Sequence, residues 1–218
     1  MKFTIVLFFA IFSIAQAYGI ERAEQRIWLG LFATKKITEH YVISAETQLR
    51  YDEAHQTMNQ TLNRFGLLRS LDEHHEVGIL FAFVQTGPMK EYRPTIQSLY
   101  KNNGPLNSYS IRNRLEGRDI EASKTNTGSD ADSLRFRSQF RWAHTLNPKY
   151  ELVVWDEPFF NFTHEKWTGN RFIDRNRAFL GTRVKFENIN LEIGYMNQYI
   201  PRDTANLSEH TLVSYLFF

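Results

Sequence analysis

Residues 110–119, SIRNRLEGRD, set Arg112, Arg114, Glu116 and Arg118 at every second position, with Ile111 and Leu115 between them. LRFRSQFRWA, residues 134–143, repeats the pattern: Arg135, Arg137 and Arg141 alternate with Leu134, Phe136, Phe140 and Trp142. At about 100° per residue a helix would scatter positions 112, 114, 116 and 118 around its whole circumference, whereas a strand puts them on one face. The same period of two recurs along the chain. Tyr41, Ile43, Ala45, Leu49 and Tyr51 oppose Ser44, Glu46, Gln48, Arg50 and Asp52. Val77, Ile79, Phe81 and Phe83 share one parity, and Glu91, Arg93, Thr95 and Gln97 oppose Tyr92, Ile96 and Tyr100. Arg175, Arg177, Arg183 and Lys185 face away from Ala178, Leu180, Val184 and Phe186, and Ile189, Leu191, Ile193, Tyr195 and Tyr199 face away from Glu192, Gly194 and Gln198. Period two is the signature of half-buried strands.

Eleven strands are predicted, over residues 26–35, 40–52, 58–69, 75–86, 90–101, 108–121, 132–146, 150–162, 172–186, 189–200 and 208–218. Their connections alternate. Short ones fall near Thr38, Asp72, Asn107, Asn147-Pro148 and Asn188; longer polar ones fall around Ala54, Gly87-Pro88, 120–131, 163–171 and 201–207. Short turns at one rim and long loops at the other are the asymmetry of a membrane barrel. An odd count conflicts with the even strand numbers of single-chain bacterial barrels, so the expected range is ten to twelve. If the chain ends at the short-turn rim, the first strand starts at the long-loop rim. Tyr18 to Gln25 is then expected to return through the lumen or form a short extra strand.

The beginning of the chain bears on location. Lys2 precedes an almost unbroken apolar run from Phe3 to Ile14, and Ala15-Gln16-Ala17 follows as a small-x-small site. This is the layout of a secretory signal peptide, with cleavage expected after Ala17 and residues 18–218 forming one domain. The apolar run is shorter than the roughly 20 residues of a spanning helix. The chain has no cysteine, so neither disulfides nor thiolate-held metal support it. A net charge of +2 excludes nucleic acid as an evident partner. Mean hydropathy is −0.44, yet aromatic residues make up 15% and phenylalanines number 18. A chain polar on average but rich in aromatics fits a barrel with one face to lipid and the other to its lumen.

Energetics assigns the faces. An arginine turned to lipid near the bilayer midplane of a barrel costs roughly 2–4 kcal/mol, and three on one strand would consume much of an ordinary domain stability of about 5–15 kcal/mol. The arginines therefore point inward and the interleaved aromatics outward. The expected fold is all-β: a closed antiparallel transmembrane barrel of 10–12 strands with an Arg-rich lumen. Candidate luminal binding residues are Arg50, Arg64, Arg93, Arg112, Arg114, Glu116, Arg118, Arg135, Arg137, Arg141, Glu157, Arg175, Arg177 and Arg183. The closing HTLVSYLFF ends in Phe218, the terminal aromatic that outer-membrane assembly machinery reads, although Phe217, Tyr215 and Val213 compete with Phe218, Leu216 and Leu212 for the lipid face.

One resemblance can be named. RNRLEGRD, LRFRSQFR, WDEPFFNF, the run FIDRNRAFLGTRVKFENINLEIGYMNQY and the Phe-terminated last strand resemble a family of bacterial outer-membrane barrels catalogued as a domain of unknown function. Its most specific pieces here are Glu157 with the Phe-Phe-Asn that follows, Asn176-Arg177 with Gly181, and Gly194-Tyr195; Glu91-Tyr92-Arg93 also fits. The resemblance spans nearly all of residues 18–218. It implies a closed antiparallel barrel and carries no established activity.

Two readings of the lumen stay open. Arginine outnumbers lysine 17 to 9, and its planar fork suits carboxylates and phosphates, so a narrow channel or binding barrel for small anions, such as acidic oligosaccharides or organic acids, is one. In the other, Glu46, Glu116, Glu157 and Glu192, helped by Asp52, Asp156 and Asp174, pair the arginines into a closed network. Function then lies in the outer loops. A lipid hydrolase would need a serine and a histidine within hydrogen-bond reach on the lipid face; Ser138 and His144, six residues apart on one strand, cannot touch. His74-His75 beside Asp72 and Glu73 reads as a solvated turn, His164-Glu165 with Trp167 as an interfacial anchor, and Gly128 lacks the strand-to-helix setting of a phosphate loop. No metal and no cofactor are expected; the expected partners are outer-membrane lipid, small anionic solutes and the assembly machinery. A soluble lipocalin-like barrel would place apolar residues inside and charges outside, the inverse arrangement.

Overall fold

The computed structural model describes residues 20–52, 57–121, 131–163, 171–202 and 205–218. The signal-peptide segment, Ala54, Gly128, and His164-Glu165 with Trp167 lie outside them. Eleven strands are present: β1 (Ile20–Lys36), β2 (Tyr41–Asp52), β3 (Thr57–Ser70), β4 (His75–Thr86), β5 (Met89–Asn103), β6 (Asn107–Glu121), β7 (Ala131–Thr145), β8 (Tyr150–Asn161), β9 (Ile173–Lys185), β10 (Asn190–Ile200) and β11 (Asn206–Phe217). Ten agree with the predicted ranges to within two residues at each end. The exception is β1, which starts six residues early. Residues 20–25 extend its wall rather than turn back through the lumen or add a strand.

Each strand hydrogen-bonds to its sequence neighbours, and β1 closes the ring on β11. That last pairing is parallel, Trp28 lying beside Val213 and Phe32 beside Phe217, while the other ten are antiparallel. The expected all-antiparallel closure is thus corrected at one seam. With an odd strand count, the first and last strands run in the same direction, and only a parallel pair can join them.

The rims differ as the turn chemistry anticipates. At one, Thr38 Oγ1, Asp72 Oδ1 and Asn147 Oδ1 accept backbone N–H groups from residues two or three positions on and fix the short turns. At the other, the β4–β5 connection is the two residues Gly87-Pro88, shorter than predicted. Gly87 has φ +55°, the first central position of a primed hairpin turn, which only glycine adopts without strain.

The outer surface bears a belt of apolar side chains: Phe65, Ile79 and Ile96 are each more than 60% exposed, and Leu31, Phe81, Leu180 and Leu212 add to it. Ile79 and Ile96 lie directly opposite across β4 and β5. The belt is interrupted. Ser138 donates to Asn113 at 2.7 Å and Asn113 to Ser98 at 3.5 Å across β7, β6 and β5, and Asn176 donates to Asp156 at 2.8 Å. Asp156 therefore leaves the luminal group proposed for it: alternation puts it on the opposite face from Glu157. At the C-terminus Leu212 and Phe218 face outward, whereas Val213 and Tyr215 are buried inside, which settles the competing parities.

Not all rings face outward. Trp28, Trp155, Phe179, Met196, Val213 and Tyr215 form a buried apolar cluster on the inner face of β1 and β8–β11, with Phe32 and Phe217 against it. Trp155 stacks on Phe179 at 5.0 Å. Phe179 in turn lies over the register pair Gly181 and Gly194. A Cβ at Gly194 would come within 2.4 Å of the Leu180 carbonyl oxygen and 2.6 Å of Gly181 Cα. Gly194→Ala is accordingly expected to cost about 1–3 kcal/mol through overpacking, read as an earlier midpoint of urea unfolding in lipid vesicles. An unchanged midpoint would show that the ring and backbone yield freely.

Candidate functional site

The lumen is built by alternation. On β5 and β6, Glu91, Arg93, Thr95 and Gln97 meet Arg114, Glu116 and Arg118; on β7 and β8, Arg135, Arg137 and Arg141 meet Trp155, Glu157, Phe159 and Asn161. Most of these side chains are buried although the strands are only one residue thick. The bore is filled largely by side chains reaching across it.

Two carboxylates hold the centre. Glu116, fully buried, accepts from Arg135 at 2.7 Å and Arg137 at 3.2 Å, with Arg64 3.7 Å away. Glu157, 1% exposed, accepts from Arg137 at 2.7 Å and from Arg112 at 3.4 Å, with Arg177 at 3.9 Å. Arg137 thus bridges the two carboxylates. Beneath them the Phe159 ring takes the guanidinium groups of Arg137, Arg177 and Arg135 at 4.7, 4.6 and 5.1 Å, which desolvates the charges against a ring quadrupole. Because charges so placed have lost their water, each must be repaid by charge-assisted hydrogen bonds.

The remaining predicted residues fall around this centre. Arg93 grips Glu91 through two bonds of 2.7 Å, and Arg118 shares the same carboxylate. Arg141 grips Glu192 at 2.6 and 3.1 Å, where Arg183 also reaches at 3.3 Å. Arg175 turns to Asp174 at 2.9 Å, which also receives Arg135 at 3.1 Å. Arg64 is held by Glu46 at 2.6 Å. Arg50 bonds Gln48 and Gln60 and lies 3.8 Å over Trp28, whose ring Arg177 also approaches, at 4.9 Å. Arg114 donates its Nε to Gln97 at 2.7 Å. Arg26, outside the predicted set, joins Glu24, Asp52 and Glu209.

These groups leave a cavity of about 310 Å³. Seven guanidinium groups border it, those of Arg64, Arg112, Arg114, Arg137, Arg141, Arg177 and Arg183, against three carboxylates, Glu46, Glu157 and Glu192. Trp28, Phe32, Trp155, Tyr215 and Phe217 form its apolar side. The sequence reading missed this apolar wall. Its signal was the parity that Trp155 and Phe159 share with Glu157, and Phe179 with Arg177.

Ser138 is bonded to Asn113, and the His144 ring to Asn107 at 3.0 Å, far from each other on β7. Asp72 accepts the N–H groups of His74 and His75 and the His75 ring; these bonds, the His74 N–H first, hold its carboxyl below the ordinary range. Among the described residues no three His, Asp or Glu side chains gather closely enough to share a metal ion.

No curated protein matches the sequence. Among solved structures, the NanC porin is similar in fold at 13% identity and a TM-score of 0.55, over 85% of this chain and 87% of that one. A bacterial polysaccharide outer membrane secretin is similar at 11% identity and a TM-score of 0.54, over 82% of this chain and 64% of that one. At such identities the likeness concerns the fold alone, that of a closed barrel. A family model described as "Protein of unknown function (DUF2490)" matches residues 25–209, most of the chain, with β2 to β10 in full and parts of β1 and β11, and the chain belongs to that family.

Proposed function

We propose that the protein is an integral outer-membrane barrel whose narrow lumen conducts or holds small anions. The observation that carries this reading is the charge of the cavity: seven guanidinium groups against three carboxylates, several of them buried inside the bore. Rings of arginine select anions by lowering the barrier to negative charge and raising it to cations. Acidic oligosaccharides and organic acids are the solutes whose carboxylates match a guanidinium fork. The porin-like fold and the secretin named for polysaccharide support passage of a solute as the class of function. In the same reading residues 1–17 are the export signal, lipid surrounds the belt, and Phe218, exposed at the end of β11, addresses the assembly machinery.

A second reading has its own support. The chain of contacts Glu46–Arg64–Glu116–Arg137–Glu157 runs from β2 and β3 across to β6, β7 and β8 and could close the bore, which would leave the work to the loops. Planar-bilayer recording separates the two. Conduction is expected as small unitary steps with a reversal potential on the chloride side in a potassium chloride gradient. Changing Arg112, Arg114, Arg135 and Arg137 to Gln is expected to move that potential toward zero. An absence of steps, or a preference for potassium, would remove the channel.

A further inference from the structure

Arg114 differs from its neighbours. Its side chain is 6% exposed and borders the cavity, yet among the described residues no carboxylate lies within ion-pair distance of it. Gln97 takes its Nε at 2.7 Å and so aims the fork, leaving both terminal nitrogens turned to the cavity without a hydrogen-bond partner. Directly opposite in the β6–β7 register stands Arg137, another cation, already engaged by Glu116 and Glu157. Like charges directly opposed on neighbouring strands repel. Close by, Arg112 Nε and Arg64 Nε are buried donors without partners. Glu46, whose charge reaches Arg114, is itself bonded to Arg64, so a buried guanidinium aimed at the cavity with no bonded carboxylate favours an anion that can meet it.

We propose that Arg114 is the anchor of a discrete binding site in the lumen for a single small carboxylate with an apolar, ring-sized body. This rests on the reading of the lumen as an anion-handling compartment and gives it a location and a ligand class. Arg114 Nη1 and Nη2 present the planar pair of donors that a carboxylate accepts in bidentate fashion. The body of the ligand lies against the opposite side of the cavity, where Phe32, Tyr215 and Phe217 offer apolar surface. The volume of about 310 Å³ is at the lower end of ordinary ligand pockets, which restricts the occupant to one ring or its equivalent. Arg93 spends its Nε–Nη2 edge on Glu91 and does not border the cavity.

Titration calorimetry on the purified barrel in detergent tests this, with sodium benzoate as probe, sodium acetate as the carboxylate without the ring and benzyl alcohol as the ring without the charge. Benzoate is expected to bind saturably at one site, at least tenfold more tightly than acetate or benzyl alcohol. Arg114→Gln is expected to weaken benzoate at least tenfold and to leave benzyl alcohol unchanged, while Arg93→Gln changes benzoate less than twofold. Should the Arg114→Gln barrel fail to fold, phenylglyoxal modification of the unaltered protein, read by mass spectrometry, gives the answer. Benzoate must then slow modification of Arg114 but not of Arg93. Equal binding of benzyl alcohol, equal losses at Arg93 and Arg114, or no protection of Arg114 would overturn the site. Anion-selective conduction without benzoate binding removes the site and leaves the channel; saturable binding without conduction removes the channel and leaves the site.

Discussion

Replacing Glu116 by Gln is expected to lower the stability of the barrel by about 3 kcal/mol or more, among the largest single losses available in this structure. The side chain is fully buried, so its charge has already lost its hydration and is held only by Arg135 and Arg137, with Arg64 near. Breaking a buried ion pair by neutralising one partner costs about 3–5 kcal/mol, because the other partner remains charged and out of water. Arg135 keeps Asp174 and Arg137 keeps Glu157, which places the expected loss at the lower end. Urea unfolding in lipid vesicles measures it, with Trp28 and Trp155 inside the bore as fluorescent reporters. Glu73→Gln is the comparison: its carboxylate is 84% exposed in a turn, and the midpoint should hold within about 0.5 kcal/mol. A loss below about 1 kcal/mol at Glu116 would mean that water reaches the centre of the bore freely, and the network would no longer explain the closed interior.

The second large effect tests which face meets lipid. Ile96 stands at the middle of β5, 64% exposed, opposite Ile79. Arginine there should cost roughly 2–4 kcal/mol, the penalty for a cation at the lipid-facing midplane of a barrel. Gln97, the next residue, is 5% exposed and points into the lumen beside Arg114. Gln97→Arg adds a cation beside Arg114 with no carboxylate in reach, but it opens onto the polar cavity rather than onto hydrocarbon, and should cost less. The paired measurement is again urea unfolding in vesicles. If Ile96→Arg proves harmless and Gln97→Arg ruinous, the assignment of inside and outside is reversed.

Much of this architecture is written in alternation alone. Arg112, Arg114, Glu116 and Arg118 share a face because side chains on a strand alternate, and the cost of arginine in hydrocarbon decides which face. Neither step needs tertiary information. The seam did not emerge in this way. Which strand β1 meets after β2 is a question about residues nearly two hundred positions apart, and no local period encodes it. The luminal ring cluster was hidden for a different reason: sorting a strand into apolar and polar faces assumes each face is uniform, and β8 carries Trp155, Glu157 and Phe159 on the same one. Asp156 was misplaced by grouping acids by type when neighbours in a strand must part company. Pairing was the least legible of all. That Glu116 would receive Arg135 follows from register, but the reach of Arg112 on β6 to Glu157 on β8 depends on the width of the bore.

Parallel pairs are slightly weaker per residue than antiparallel ones, and among the described residues β1 with β11 is the one such pair in this wall. That makes the cylinder directional in strength, with a preferred line along which it would unzip sideways into the bilayer. Ten strands form a curled sheet with two bare edges, and the ring exists only once the first strand to emerge accepts the last.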